Sequence, residues 1–151
     1  IINIIYERLL LSKKIDHIIF AVPNNSKNSQ LRHFLKKSKI PYFQGSEKNV
    51  LNRFTKYLKS KKSMYEIVIR ITCDCPLIDP LMSDKMIMKF MNNKFDYISN
   101  VMPPTFPDGF DFEIFRKNLL TQVDEKSLTP EEKEHVTLHI RKDPKVKRFE
   151  R

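Results

Sequence analysis

Short apolar runs rich in β-branched residues alternate with amphipathic helical patterns along the chain, and this alternation constrains the fold more than any other feature. The strongest run, Tyr65 to Thr72, carries Ile67-Val68-Ile69, which is typical of a strand covered on both faces. Strands and helices in this order predict an α/β fold: a three-layer, Rossmann-like, mostly parallel sheet with helices on both faces. Strands are predicted at 17–22, 40–43, 65–72, 96–100 and 112–115, and helices at 1–10, 26–37, 50–58, 80–93, 118–123 and 130–141.

The chain is long enough for one domain, because 151 residues with 40% hydrophobic and 30% charged side chains can form a core. The helix at 26–37, for example, is expected to bury Leu31, Phe34 and Leu35. No apolar run approaches the roughly 18 residues of a membrane span, so a membrane-spanning helix is excluded. The chain opens inside a helical pattern without a start methionine, and we expect a single domain, 1–151, that is cut at both ends.

The positions of the cysteines and glycines argue against disulfides, a cysteine metal site and a glycine-rich phosphate loop. Cys73 and Cys75 are neighbours in an extended segment and therefore poor disulfide partners, which favours a reducing compartment, the cytoplasm. A metal site on them would need two further soft ligands, and none lies nearby, so we expect small packing residues. Gly45 and Gly109 are the only glycines, which excludes a GxGxxG or Walker-type phosphate loop within these residues.

An acidic loop follows the strongest predicted strand. In α/β sheets ligands bind beyond the carboxyl ends of strands, so the loop after Thr72 is the first place to look for a site. Asp74 stands there, and a hard cation such as Mg²⁺ usually takes one or two carboxylates from the protein and its other ligands from phosphates and water. The alternative is that Asp74, or Asp79 before Pro80, caps the following helix.

A second acidic segment follows the proline-rich loop. Alternate residues of an extended chain share a face, so Asp111 and Glu113 are predicted on one face, where they could bind sugar hydroxyls or a second metal position. Asp108 stands beside Gly109, which is also an ordinary turn signal. Asn100, at the end of the fourth predicted strand, is another candidate for a substrate contact.

His135 and His139 lie four residues apart on the predicted helix at 130–141, for which Thr129 is the expected cap. Their spacing invites a metal interpretation. The order is Glu-His-x-x-x-His, however, and the metalloprotease pattern His-Glu-x-x-His is absent. We therefore expect two partly buried helix residues on one helix face.

A formal net charge of +10 makes nucleic-acid binding an alternative function. The lysines are scattered at the ends of predicted helices, where they complement the helix dipole. Neither aromatic residues interleaved on a sheet face nor a known DNA-reading helix accompanies them. A solvated basic surface is the expected result.

The chain carries four ordered motifs: Pro41 to Leu51 (PYFQGSEKNVL), Arg70 to Pro80 (RITCDCPLIDP), Ser99 to Phe115 (SNVMPPTFPDGFDFEIF), and Glu134-His135-Val136-Thr137 with Ile140-Arg141. In this order, and over nearly the whole chain, they resemble the SpsF-type cytidylyltransferases of spore-coat polysaccharide synthesis, relatives of the CMP-sugar synthetases. Four matches in order are far more specific than any one motif.

This resemblance implies the fold of the nucleotide-diphospho-sugar transferases and a cytidylyltransferase activity. An oxygen of a sugar or sugar acid would attack the α-phosphorus of a nucleoside triphosphate, expected to be CTP, and pyrophosphate would leave. Mg²⁺ is the implied cofactor, with Asp74 and Asp111 as its ligands. Arg70 would bind a phosphate or a sugar carboxylate, or form an ion pair at the sheet edge. Substrate contacts are expected from Asn100, Asp108, Asp111, Glu113 and His135.

The chain departs from the family pattern in two ways. Cys73 replaces a glycine of the family, and its thiol would narrow the nucleotide pocket. The family's first strand and its glycine-containing loop with Arg and Lys are expected upstream of Ile1. A homodimer is possible, and a non-catalytic binding or assembly module on the same scaffold is the alternative to an enzyme.

Overall fold

The computed structural model confirms the predicted α/β class, and the predicted strands and helices are present with shifted ends, except that the helix predicted at 130–141 is divided into two. It describes residues 1–60, 64–101, 103–104 and 106–149, so positions 102 and 105 of the predicted proline-rich loop lie outside the described residues. The helices are α1 (Ile2–Leu10), α2 (Ser29–Lys37), α3 (Val50–Lys59), α4 (Pro80–Asn92), α5 (Asn118–Thr121), α6 (Pro130–Glu134) and α7 (Leu138–Lys142). The strands are β1 (Phe20–Pro23), β2 (Tyr42–Gly45), β3 (Ile67–Arg70), β4 (Tyr97–Ser99) and β5 (Glu113–Arg116).

Side chains at the helix starts satisfy backbone donors that the helices leave open. Asp79 Oδ1 accepts a hydrogen bond from Met82 N at 2.8 Å, which confirms Asp79 as the cap of α4. Thr129 caps α6 as predicted, because its hydroxyl oxygen accepts a hydrogen bond from Glu132 N. The Glu132 carboxylate in turn accepts one from Thr129 N, which completes a capping box. None of the described helices is both long enough and apolar enough to span a bilayer.

The chain divides into two compact units. The first comprises Ile1–Ile18, Ile67–Arg116 and Lys145–Arg151, and the second comprises Ile19–Glu66 and Lys117–Pro144.

The sheet of the first unit has the order β3-β5-β4, with β5 antiparallel to both neighbours. The strands β3 and β4 therefore run parallel to each other on either side of β5. The register places Glu113 opposite both Arg70 and Ser99. The ends of β3 and β4 and the start of β5 consequently meet at one edge of the sheet. Its core contains the fully buried side chains of Ile78, Phe90, Ile98, Phe112, Ile114 and Phe115.

The second unit pairs β1 with β2 in parallel, with Phe20 opposite Tyr42. Its core contains the fully buried Leu35, Leu51, Leu120, Val136 and Ile140. The predicted burial of Phe34 is wrong, because its side chain is 38% exposed. Leu35 is the only fully covered position on α2, so this short helix lies at the surface of the unit and buries a narrow stripe.

The predicted continuous helix at 130–141 is also wrong, because α6 ends at Glu134 and α7 begins at Leu138. Val136 has φ of 49°, a left-handed conformation that β-branched residues rarely adopt. Thr137 N donates to His135 O at 2.5 Å across this tight turn. The side chain of Val136 is fully buried, so core packing offsets the backbone strain and interrupts the helix. His135 and His139 therefore do not share one helix face.

Candidate functional site

The loop after β3 is held in place by backbone hydrogen bonds. Cys75 N donates to Thr72 O at 3.2 Å, which closes a tight turn around Asp74. Farther along, Leu77 N donates to Gly109 O at 3.0 Å and so joins this loop to the one before β5. Arg8 Nε donates to Ile78 O at 2.6 Å. These contacts define an acidic edge of the first unit, formed by the loops at 72–79 and 106–112.

Asp74 is exposed at the tip of the first loop. A hydrogen bond from the Thr72 side chain is the main reason that the pKa of Asp74 lies below its ordinary value. The Cys75 thiol, 3.6 Å from Asp74 Oδ1, and the charge of Arg70 act in the same direction, while partial burial opposes them. Asp74 is therefore an ionised carboxylate at neutral pH, and the helix cap that follows is Asp79.

Asp111 is positioned by the buried side chain of Asn100, which is 4% exposed. Asn100 Nδ2 donates to Phe110 O and Asn100 Oδ1 accepts from Phe112 N, both at 2.8 Å. The side-chain amide of Asn100 thus holds the backbone on both sides of Asp111 by hydrogen bonds. The predicted role of Asn100 as a substrate contact stays a prediction; the bonds that the structure gives it hold the loop.

The pKa of Asp111 lies above its ordinary value, primarily because of burial. The charges of Asp108, Asp74 and Glu113 raise it further, while Arg70 lowers it. The predicted metal ligands Asp74 and Asp111 are close enough for the charge of one to affect the pKa of the other. Perturbed carboxylates gathered at a sheet edge are typical of functional sites.

Glu113 and Arg70 form an ion pair at this edge. Arg70 Nη1 donates to Glu113 Oε2 at 2.5 Å, and the hydroxyl of Tyr97 donates to Glu113 Oε1 at 2.6 Å. Glu113 is 2% exposed, so both of its oxygens are satisfied within the protein. Of the two predicted roles of Arg70, the structure shows the ion pair at the sheet edge, since β3 is an edge strand of this sheet.

Asp108, Gly109 and Phe110 complete the second loop. Asp108 is exposed, and Gly109 has φ of 95°, the left-handed conformation expected from the Asp-Gly turn signal. The rings of Phe106 and Phe110 stack with centroids 6.4 Å apart. The sequence analysis missed this ring pair and Tyr97, because an aromatic residue in a loop or strand predicts core packing.

His135 is exposed at the turn between α6 and α7. It belongs to the second unit, whereas the other candidate site residues belong to the first. The structure thus brings together Arg70, Asp74, Asn100, Asp108, Asp111 and Glu113, while the substrate role of His135 stays a prediction.

The residues at the acidic edge fit a Mg²⁺ ion of low protein coordination. No group of three or more His, Cys, Asp or Glu side chains arranged for a metal occurs in the described residues. Mg²⁺ usually keeps several waters and takes one or two carboxylates together with substrate phosphates. An ionised Asp74 beside a crowded Asp111 matches that donor set, because a cation would relieve the repulsion between the carboxylates.

Comparisons with known proteins identify similar sequences. The sequence model of the cytidylyltransferase family ("Cytidylyltransferase") matches residues 1–149. The chain is 32% identical over 148 residues to the uncharacterized protein MJ1063 of Methanocaldococcus jannaschii, covering 97% of this chain and 58% of that protein. It is 31% identical over 136 residues to the spore coat polysaccharide biosynthesis protein SpsF of Bacillus subtilis, covering 89% of this chain and 55% of that protein. The chain therefore spans little more than half the length of these relatives.

Solved structures show the same fold. A cytidylyltransferase from Leptospira borgpetersenii superposes with a TM-score of 0.87 at 29% identity, covering 99% of this chain and 63% of that one. CMP:2-keto-3-deoxy-manno-octonic acid synthetase complexed with CTP superposes with a TM-score of 0.62 at 13% identity, covering 99% and 78%. These matches confirm the predicted nucleotide-diphospho-sugar transferase-like fold.

Proposed function

The chain belongs to the cytidylyltransferase family, as the motif resemblance predicted, and from this premise we propose that the complete protein transfers a cytidylyl group from CTP to a sugar or sugar acid. An oxygen of the acceptor attacks the α-phosphorus of CTP, the bond to the β-phosphate breaks, and pyrophosphate leaves. The name of the Bacillus relative supports a role in the biosynthesis of a surface polysaccharide. We place this reaction in the cytoplasm, and a homodimer is part of the proposal.

One observation carries this proposal: Asp74 and Asp111 lie on joined loops at the sheet edge, where one carboxyl has a lowered pKa and the other a raised pKa. Asp74 and Asp111 would hold Mg²⁺, which, when bound, supplies neutralising charge for the phosphoryl oxygens. The hydrogen bond from the Thr72 hydroxyl lowers the pKa of Asp74, so its carboxylate is available as an oxygen ligand at neutral pH and somewhat below it. Asn100 fixes the backbone around Asp111, so the second carboxylate is held in place before substrate arrives.

The remaining side chains divide into binding and positioning roles. Asp108 is exposed and available to accept hydrogen bonds from sugar hydroxyls. Glu113 acts from within the protein by orienting the guanidinium of Arg70 at the sheet edge. Arg70 would then present its remaining N–H donors to a phosphate or sugar carboxylate. His135 is proposed as a further substrate contact of the complete protein.

Pyrophosphate release by the complete protein tests the proposal, measured with each of the four nucleoside triphosphates against a panel of sugars and sugar acids. We expect CTP to support release, and we expect Asp74→Asn to slow it by about 100-fold or more. Asp84→Asn is the matched control, because Asp84 also has a lowered pKa but lies on α4, outside the two loops of the acidic edge, and bonds to Ser12 and to Lys13 N. Its rate should stay near that of the wild type.

Equal release by the wild type and Asp74→Asn would overturn the metal role. If the protein binds CTP but releases pyrophosphate with no combination of nucleotide and sugar, the non-catalytic module is favoured instead.

A further inference from the structure

We propose that the ring pair of Phe106 and Phe110 is a stacking platform for the sugar ring of the acceptor. This inference rests on the proposed cytidylyl transfer and assigns one of its substrates to a particular surface. The two rings stack with centroids 6.4 Å apart and an angle of 30° between their planes. Phe106 is nevertheless 45% exposed, so a broad aromatic surface faces solvent beside the acidic edge.

The backbone of Phe110, one of the two rings of the platform, is held close to the carboxylates. Phe110 immediately precedes Asp111, and its carbonyl accepts the bond from Asn100 Nδ2 at 2.8 Å. Gly109, just before it, accepts the bond from Leu77 N at 3.0 Å. A ring whose backbone is fixed in this way loses little conformational entropy when a ligand stacks on it.

The surroundings of the platform favour a sugar over a nucleotide. A pyranose ring has an apolar C–H face and a rim of hydroxyl donors, so it can cover an aromatic surface while its hydroxyls bond to carboxylates. Asp108 and Asp111 flank Phe110 in the sequence and supply such acceptors. Asp108 has no part in the proposed metal site, so its carboxylate can accept hydrogen bonds from the sugar hydroxyls. The platform therefore suits the ring of the acceptor sugar.

The experiment compares Phe106→Ala and Phe106→Leu with wild type in the complete protein, using the sugar that gives the most pyrophosphate release. We expect Phe106→Ala to raise the KM for that sugar by about tenfold or more, equivalent to about 1.4 kcal/mol. Phe106→Leu keeps apolar bulk without a flat ring, so its KM for the sugar should rise by a smaller factor. The KM for CTP should stay within about twofold in both variants.

Phe34→Ala is the matched control, because Phe34 is 38% exposed and lies on α2 of the second unit. Its KM values should equal those of the wild type. A rise in the KM for CTP alone on Phe106→Ala would overturn the sugar assignment in favour of base stacking. An unchanged KM for both substrates would overturn the platform itself.

A direct binding measurement separates failure of the platform from failure of the proposed reaction. Glucose, mannose, N-acetylglucosamine and N-acetylneuraminic acid are each added alone, and the ring resonances of Phe106 and Phe110 are followed by NMR. Shifts with a sugar support the platform even if wild type releases no pyrophosphate, which would overturn the reaction alone. Release by the wild type without ring shifts from the accepted sugar would overturn the platform alone.

Discussion

Glu125 in the second unit and Asp111 in the first are both carboxylates beside buried structure, yet their surroundings are opposite. Glu125 accepts hydrogen bonds from Asn52 Nδ2 at 2.9 Å and from Thr55 Oγ1 at 2.9 Å, and a longer one from Asn49 Nδ2 at 3.4 Å. These donors are neutral side chains at the cap and in the first two turns of α3, and they satisfy the hydrogen-bonding capacity of the carboxylate. Glu125 therefore fastens its loop to a helix.

Asp111 lies among the charges of other carboxylates, which the charge of Arg70 partly offsets. No hydrogen bond to its side chain is present in the parts of the chain that the structure describes, while burial and then the charges of Asp108, Asp74 and Glu113 raise its pKa. Such repulsion between like charges lowers the free energy of unfolding, so this arrangement does not serve stability. The comparison teaches that a carboxylate with hydrogen-bond donors around it, such as Glu125, serves the structure. A carboxylate crowded by like charges, such as Asp111, is a candidate for ligand binding.

Replacing Glu113 should give the largest effect, because this buried carboxylate beside the acidic edge is satisfied within the protein, as Glu125 is, by Arg70 and the Tyr97 hydroxyl. Glu113→Leu leaves Arg70 and the Tyr97 hydroxyl without their partner, so the free energy of unfolding should fall by about 3 kcal/mol. Glu113→Gln keeps an acceptor for Tyr97 and should cost less. Urea denaturation measures both, and a loss below about 1 kcal/mol for Glu113→Leu would place Glu113 with the ligand-binding carboxylates.

Asn100→Ala should give the second largest effect, a loss of about 2 kcal/mol, because it strips bonds from Phe110 O and Phe112 N at a buried position. Asn100→Asp is the control, since it keeps an acceptor for Phe112 N. Its added charge should raise the pKa of Asp111 further, which a carbon-13 NMR titration of the carboxyls would detect. An unchanged unfolding free energy for Asn100→Ala would contradict the role of Asn100 in holding the backbone on both sides of Asp111.

Thr55→Val tests the satisfied cluster of the second unit. The side chains have nearly the same shape, so the change mainly removes the bond to Glu125 Oε1, and unfolding should become easier by about 1.5 kcal/mol. Thr55→Ser keeps the hydroxyl and should preserve most of that bond. Equal losses in Val and Ser would show that methyl packing, and not the bond to Glu125, stabilises this position.

Asp111→Asn should give the smallest effect and the opposite sign, stabilising the protein at pH 7 by less than about 1 kcal/mol. Because the folded-state pKa of Asp111 is raised, the folded protein holds the proton more tightly. Wild-type stability therefore falls as the pH rises from the ordinary carboxyl pKa through the raised one. The advantage of Asn should shrink on acidification, and a series of urea denaturations between pH 3 and pH 7 follows it.

Glu125→Gln serves as the opposite case, because it weakens bonds to a satisfied carboxylate and should destabilise at pH 7. Equal signs for Asp111→Asn and Glu125→Gln would break the distinction between the two clusters.

Most of the fold could be predicted from the sequence because local patterns determine local structure. The β-branched run before Thr72 predicted β3, and the Asp79-Pro80 pair predicted a capped α4. The location of the candidate site was proposed from the rule that ligands collect at strand ends in α/β sheets. The loop with Asp74 lies where that rule places it.

Other features had no local signal. A strand carries no mark of its direction, so the antiparallel course of β5 between β3 and β4 was not predictable. The break at Val136 was hidden because a buried valine suits a helix pattern, while the strain in its backbone is offset by packing from elsewhere in the chain. The ion pair of Arg70 with Glu113 likewise required the register of two strands.

The sequence by itself determined which segments become strands and helices, which loops carry carboxylates, and which family the chain resembles. Those properties follow from periodicity, capping and turn chemistry, which act over a few neighbouring residues. Only the tertiary structure decided which carboxylates are satisfied and which remain crowded. Charge compensation depends on groups far apart in the chain, such as Arg70 and Glu113 or Thr55 and Glu125, and distance in space is settled by packing alone.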